Sequence, residues 1–527
     1  MQVSHWLRIL KKKFLGSRVM QEMKQECFAL ILAAGYGSRL NCLTKDYPKC
    51  LVKVNGREIL DYQLSGYING GIREENIYIV AGYRYEMICA FLQYKYPKVN
   101  VVYNSEYATT NNMFSLYLGL KELMQMQPKG NVFINNADCI YEEALMRDFI
   151  QQQYENAVAV KSNIFLEESM KITRGENGNL LNIAKTIKQQ ESAGVSLDLY
   201  KYSTKTIPIL FSILKDFIEV KQDLKQWSEI AFPILFDKIA VYPFETGDKK
   251  WVEIDDYKDL MEADRLFCSF ALETKKVLFV DIDGTICIGN TPIISSVEFI
   301  KNCKAKVYFL TNNTSKIPYD YQQKLSKFGI KATAEDILTP LESLIEYLKN
   351  GMYESVYLVA NSKVLNYIKQ RLPDIDIEFN KEKNQAVILT YDDSINYQKL
   401  KNISILLNNA NVKYFATHSD VFCPSEFGAI PDIGSFMKLI YAVIKRNPDK
   451  IFGKPSKVLI EHIIKQYQVR EIAVIGDRLY TDKQLADNVG VDFVCVLSGE
   501  TKRNDLQECT GIYPSAVVEN LASLDFI

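Results

Sequence analysis

The stretch "KVLFVDIDGTIC" (276–287) begins just past the middle of a 527-residue chain. An apolar, β-rich run ends in two carboxylates, Asp281 and Asp283, and a glycine, Gly284. In an extended strand, residues i and i+2 share a face. Once the chain turns at the glycine, both carboxylates can reach one reaction centre. Such a strand usually opens an α/β unit, yet here a comparable length of chain precedes it. The reading of this stretch therefore divides the chain in two.

Downstream, short apolar runs alternate with helical patterns: "VYFLTNN" (307–313), "SVYLVA" (355–360), "AVILTYD" (386–392), "VKYFATHSD" (412–420), "EIAVIGD" (471–477) and "DFVCVLSG" (492–499). Upstream, "CFALILAAG" (27–35), "NIYIVAGY" (76–83), "VNVVYN" (99–104) and "NVFINNAD" (131–138) do the same, with helices expected near 59–70 and 112–125. This alternation predicts an α/β class of two tandem Rossmann-like domains. The expected divisions are an extension at 1–25, a first domain at 26–270, a linker near 271–276 and a second domain from 275 to 527. No internal repeat is visible.

Apolar residues make up 47% of the chain and charged residues 24%, with a net charge of −1, so no basic field points to nucleic acid. No apolar run approaches the roughly 20 residues of a membrane span. The 11 cysteines form no Cys-x-x-Cys pair and histidines number three, which disfavours a zinc site and suits reduced thiols in a cytoplasmic protein. Oligomeric state is left open, a homo-oligomer included.

In the second half four motifs follow in order, each suited to phosphoryl chemistry. Asp281 can attack phosphorus, and Asp283 can protonate the leaving oxygen and then activate water. Thr311 and the backbone of Asn312 can hold phosphate oxygens, Lys454 can clamp them, and Asp477 with Asp482 can join Asp281 and Asp283 around Mg²⁺. This half resembles the haloacid dehalogenase superfamily, in the NagD- and 4-nitrophenylphosphatase-like subgroup. The resemblance implies a phosphatase with an aspartyl-phosphate intermediate, a core at 275–317 and 449–527, and an inserted α/β cap at 318–448. The segment "FATHSDVFCPSEFGAIPDIGSFM" (415–437) resembles the cap-to-core segment there, with His418, Asp420 and Phe427 as pocket candidates.

In the first half, "LILAAGYGSRLNCLTKDYPKCLVKVNGREILDY" (30–62) runs from a strand into small residues. The backbone of Ala33, Ala34, Gly35, Gly37 and Ser38 can cradle an anion, and Arg39 and Lys49 add positive charge for a triphosphate. The third glycine of the dinucleotide fingerprint and the Gly-Lys-Ser/Thr of a P-loop are both missing. The extended pattern resembles the sugar-phosphate and phosphocholine-type nucleotidyltransferases, with a mixed sheet. "EYATTNNMFSLYLGL" (106–120) resembles the Thr-x-Asn-Asn segment of phosphocholine and 2-aminoethylphosphonate cytidylyltransferases.

That resemblance implies attack of a substrate phosphate or phosphonate on a nucleoside triphosphate, with pyrophosphate leaving. Asp138 and Asp255 (or Glu253) are its expected Mg²⁺ ligands, and Lys49 its stabiliser of developing charge. Asn111, Asn112 and Ser115 are expected to read a base edge or order the nucleotide pocket. CTP is favoured and UTP stays open. The acceptor is a small phosphorylated alcohol, with phosphocholine, aminoethylphosphonate and glycerol phosphate all open. For a quaternary ammonium, Tyr83, Tyr85, Tyr107, Tyr117, Tyr200 and Tyr202 are candidate cage residues. The expectation is a bifunctional enzyme supplying CDP-activated groups for surface polysaccharide or lipid. The alternative is a sugar-1-phosphate nucleotidyltransferase, using UTP or CTP, with the same phosphatase tail.

Overall fold

The computed structural model describes residues 26–425, 428–507 and 512–526. The expected extension at 1–25 and the pocket candidate Phe427 lie outside them. The chain divides into two compact units between Phe267 and Cys268.

The first unit is built on a mixed sheet, nine-stranded among the described residues. Its centre is four parallel strands, in the order Val132–Asn136, Phe28–Ala33, Ile77–Ala81 and Asn100–Tyr103. The strand Phe28–Ala33 is buried along its whole length, as its unbroken apolar run requires when helices cover both faces. Gly194–Tyr202 joins antiparallel to Val132–Asn136 and is also buried throughout, despite carrying Ser196, Asp198 and Lys201. Its pairing with Ala157–Ser162 slips between Ser196 and Tyr200, and Asp198 adopts φ 51° within that slip. A two-stranded ribbon pairs Trp251–Glu253 with Cys139–Tyr141, and the Ile254 N–H donates to the Asp138 carbonyl at 2.9 Å. The ribbon thereby brings Asp255 beside Asp138. Asp256 caps the following helix, Tyr257–Leu266, in a capping box with Asp259.

The second unit holds two parallel sheets. Six strands run in the order Ile337–Leu338, Lys306–Leu310, Val277–Asp281, Ile472–Gly476, Asp492–Val496 and Ala516–Val518. A smaller sheet orders Val356–Val359, Ala386–Leu389, Lys413–Ala416 and Lys450–Ile451. The α/β insertion was expected at 318–448. Ile337–Leu338 bonds into the large sheet and Lys450–Ile451 into the small one, so the small-sheet segment begins after Leu338 and extends through Ile451.

Phe279 lies fully buried in the central strand of the large sheet and stacks on Tyr308, with ring centroids 5.7 Å apart. Truncating Phe279 to alanine is expected to cost about 3–5 kcal/mol, read as a lowered urea midpoint for unfolding.

Candidate active sites

In the first unit the sequence-derived residues converge on one cavity of about 340 Å³. Ala33, Ala34, Gly35, Gly37, Ser38, Arg39, Lys49, Asn111, Asn112, Ser115, Asp138, Glu253 and Asp255 all line it. Gly37, at φ 64°, is needed here, because a β-carbon would come within 2.7 Å of Lys49 Cβ. Lys49 passes close under the loop and enters the cavity. Its Nζ lies 2.9 Å from Asp138 Oδ2 and 2.9 Å from Asp255 Oδ1, and Arg39 reaches Asp255 Oδ2 at 2.9 Å. Burial alone would depress the Lys49 ammonium, but the two carboxylates outweigh it and raise its pKa. Burial opposes ionisation of Asp255, and Lys49 and Arg39 reverse this to leave its pKa lowered.

Lining residues not singled out from the sequence include Asp198, Trp227, Glu229 and Lys185. Glu229 is 3% exposed and its Oε2 has no hydrogen-bond partner. Burial raises its pKa, tempered by the Asn112 and Asn136 amides among others. Asp198 accepts from Tyr200 Oη at 3.0 Å and Asn136 Nδ2 at 3.1 Å. Glu253 is pushed up to about 9 by burial and by Asp198, Asp138 and Asp255. Five carboxyl groups (Asp138, Asp198, Glu229, Glu253, Asp255) thus share the cavity with three cationic side chains (Arg39, Lys49, Lys185). The Lys185 ammonium sits 5.2 Å from the centroid of the Trp227 ring. Of the six candidate cage tyrosines, Tyr107 lines the cavity and the other five are not among its lining residues.

The Asn-Asn segment, expected to read a base edge or order the nucleotide pocket, lines the cavity and also bonds to a neighbouring loop. The Asn111 N–H donates to the Leu224 carbonyl at 3.0 Å, its amide donates to the Lys225 carbonyl at 3.3 Å, and Asn112 Oδ1 accepts from the Ser228 N–H at 2.8 Å. Asn111 also caps the helix Asn112–Gln125, and Ser115 accepts from the Asn104 amide at 3.1 Å. The two asparagines therefore fasten the loop that presents Trp227 and Glu229.

In the second unit the motifs gather at the C-terminal ends of the parallel strands, where open α/β sheets place their ligands. Lys454 is buried and pairs with Asp281 and, at 2.6 Å, with Asp482. Asp281, Asp477 and Asp482 offer oxygens within 4.8 Å of one another. Burial and the neighbouring carboxylates raise Asp281 well above the usual range, and push Asp477 up to about 6. Asp477 Oδ2 accepts from the Glu500 N–H at 2.7 Å, while the buried Oδ1 has no partner. An orphaned carboxylate oxygen facing two more carboxylates is a donor set that fits a hard divalent cation. Asp283 stands outside this cluster, its Oδ1 2.9 Å from the Lys324 ammonium. Thr311 Oγ1 accepts from the Asn313 N–H at 3.1 Å, and Asn312 Oδ1 accepts from the Lys454 N–H at 2.8 Å.

Residues 28–266 match the nucleotidyl transferase family. Residues 278–371 match the haloacid dehalogenase-like hydrolases, and residues 451–524 the related HAD-hydrolase-like family. The chain joins a nucleotidyl transferase to a haloacid dehalogenase-like phosphatase. It is 28% identical to the 5'-nucleotidase YutF of Bacillus subtilis over 45% of this chain and 93% of that protein. It is 26% identical to an acid sugar phosphatase of Staphylococcus haemolyticus over 45% of this chain and 90% of that one. The solved 4-nitrophenylphosphatase of Thermotoga maritima is 32% identical over 48% of this chain and 97% of that chain, with a TM-score of 0.44. Among the described residues no helix is long and apolar enough to cross a membrane.

Two outcomes follow from the geometry. In the phosphatase, Gly284 has φ 93°, and a β-carbon there would lie 2.3 Å from Asp477 Oδ2. Gly284→Ala is expected to cut phosphatase turnover by at least about tenfold, measured with p-nitrophenyl phosphate, while pyrophosphate release continues. In the transferase, burial, with Glu229 and Asp138, pushes Asp198 up to about 7, whereas an unfolded aspartate titrates near ~3.9. Between these values the folded state holds a proton that the unfolded chain has released. Stability from this group is therefore present below about pH 4 and lost as pH rises through about 7. The gain in urea midpoint of Asp198→Asn over the wild type is expected to grow from near zero at pH 4 to its maximum at pH 8.

Proposed function

We propose that the transferase half is a cytidylyltransferase whose acceptor is a small phosphate or phosphonate ester carrying an ammonium group, such as phosphocholine. The carrying observation is that Asp198, Glu229 and Trp227 all line the cavity that Lys49 enters. Two buried carboxyl groups raised above their ordinary range are expensive to ionise without a cation beside them. A positively charged acceptor head supplies that cation, and the ring of Trp227 offers a face that already neighbours an ammonium. Arg39, Lys49 and Lys185 stand against five carboxyl groups in this cavity, and a neutral sugar or glycerol would add no further cation. CTP is preferred on the likeness of "TTNNMFSLYL" (109–118) to the cytidylyltransferase segment.

In this reading an acceptor oxygen attacks the α-phosphorus of the triphosphate, and the bond to the pyrophosphate oxygen breaks. The glycine loop orients the phosphates with backbone N–H groups, and Lys49 and Arg39 meet the charge that builds up on them. Mg²⁺, held by Asp138 and Asp255 with Glu253 at hand, would supply charge neutralisation on the phosphates. In the phosphatase, Asp281 attacks the ester phosphorus and becomes the aspartyl phosphate, while Asp283 donates a proton to the leaving alcohol oxygen. Asp283 then takes a proton from the water that cleaves the acyl phosphate, releasing Asp281. Thr311, the Asn312 backbone and Lys454 hold the phosphoryl oxygens. Asp281, Asp477 and Asp482 would hold a Mg²⁺ ion that lets the phosphate approach so many carboxylates.

A pyrophosphate-release assay with CTP, UTP and a panel of phosphocholine, phosphoethanolamine, glycerol phosphate and sugar 1-phosphates tests the proposal. Phosphocholine or another ammonium ester is expected to turn over with CTP, and turnover of sugar 1-phosphates alone would replace this reading. Asp198→Asn and Glu229→Gln are expected to raise KM for the ammonium ester about tenfold or more, with KM for CTP within about threefold of the wild type. Asp281→Asn is expected to abolish p-nitrophenyl phosphate hydrolysis and leave pyrophosphate release intact.

A further inference from the structure

After the strand Lys413–Ala416 of the small sheet, the chain turns back toward the phosphatase centre. Asp420 stands on that return, 4% exposed. Its two carboxylate oxygens lie 3.3 and 3.4 Å from the Asn312 amide nitrogen, and one of them lies 3.1 Å from Arg478 Nη1. Both partners belong to the large-sheet core: Asn312 follows the strand Lys306–Leu310, and Arg478 follows Asp477 directly.

Each partner in turn holds a residue of the chemical site. Asn312 clamps Lys454 at both ends of its backbone, accepting from its N–H at 2.8 Å and donating to its carbonyl at 3.1 Å. Arg478 Nε pairs with Glu500 at 2.9 Å, and the Glu500 N–H donates to Asp477 Oδ2 at 2.7 Å. One carboxylate from the small-sheet segment therefore bridges the supports of the phosphate clamp and of the cation-binding carboxylate.

Asp420 is itself held from behind. The Asp432 N–H donates to the Val421 carbonyl at 3.1 Å, and the Gly434 N–H donates to the Asp420 carbonyl at 2.8 Å. Asp432 caps the helix Ile433–Ile444, and its Oδ1 lies 3.0 Å from Nε2 of the fully buried His418. The donor atoms of His418, Asp420 and Asp432 lie within 4.8 Å of one another. A cation at that spot would face the guanidinium already paired with Asp420, so the cluster acts as a hydrogen-bonded anchor.

We propose that Asp420 is a positioning residue of the phosphatase, transmitting the placement of the small-sheet segment to Lys454 and Asp477 through Asn312 and Arg478. It orients the machinery without touching the ester, so its loss acts on turnover and not on substrate affinity. The test uses the full chain with p-nitrophenyl phosphate. Asp420→Asn preserves shape and removes the charge, and is expected to lower kcat about tenfold or more with KM within about threefold. Arg478→Gln should lower it similarly. The double variant should be no slower than the worse single, because both changes break one unit. Asp420→Glu should recover part of the lost turnover, which a purely structural defect would not allow. Wild-type kcat in Asp420→Asn, multiplicative losses in the double variant, or a change confined to KM would each overturn the proposal. Should Asp420→Asn fail to fold, Asp432→Asn loosens the anchor from a distance. A reduced kcat at unchanged KM there supports the coupling, and wild-type kcat overturns it.

Discussion

Each half of this enzyme is organised around an ammonium wedged between two carboxylates. Lys49 lies between Asp138 and Asp255, which are 89 and 206 residues away in sequence. Lys454 lies between Asp281 and Asp482, 173 and 28 residues away. Two carboxylates held this close repel one another, and the lysine between them offsets that repulsion near the strand ends. Removing one partner from such a cluster leaves an uncompensated charge and typically costs about 3–5 kcal/mol. The rest of each site follows from this constraint. The loop must carry Gly37 so that Lys49 can pass beneath it, the Trp251–Glu253 ribbon must place Asp255 against Asp138, and Asn312 must clamp the Lys454 backbone.

The two wedges leave different residues of charge. In the transferase cavity the carboxyl groups beyond the Lys49 pair, namely Asp198, Glu229 and Glu253, are all raised in pKa, first by burial. In the phosphatase the unpaired Asp477 Oδ1 is left facing the Lys454 cluster. The proposed ammonium-bearing acceptor would answer the first, and a divalent cation would answer the second. A phosphate-consuming transferase and a phosphate-removing hydrolase in one chain avoid futile turnover when they recognise different esters, and unlike charge environments are one way to keep those esters apart.

How much was legible in the sequence depended on where each residue sits relative to an apolar run. Asp138, Asp281, Thr311 and Asp477 stand at or just beyond uninterrupted strands, so the punctuation itself marked them. Asp198 was hidden because its strand, "GVSLDLYKY" (194–202), is broken by polar residues yet buried at every position. Trp227 and Glu229 lie in and beside a loop whose placement comes from hydrogen bonds to Asn111 and Asn112, more than a hundred residues earlier. Those asparagines were visible as a motif, but nothing local says what they fasten. The strands Ile337–Leu338 and Lys450–Ile451 were not legible because they are two residues long, too short to carry any periodicity.

The slip in the strand Gly194–Tyr202 sets two demands on the same backbone. At Asp198 the chain leaves the ladder and takes a left-handed turn, which gives up regular pairing in the middle of a buried strand. Three residues, Leu197 to Leu199, stand opposite Ala159 alone, so it takes a two-residue deletion between Ser196 and Tyr200 to let the ladder close, and the carboxylate wall would change with it. Selection for robustness alone would therefore erase this pocket. Directed evolution toward heat resistance should be watched at this strand for loss of the cavity wall that Asp198 forms.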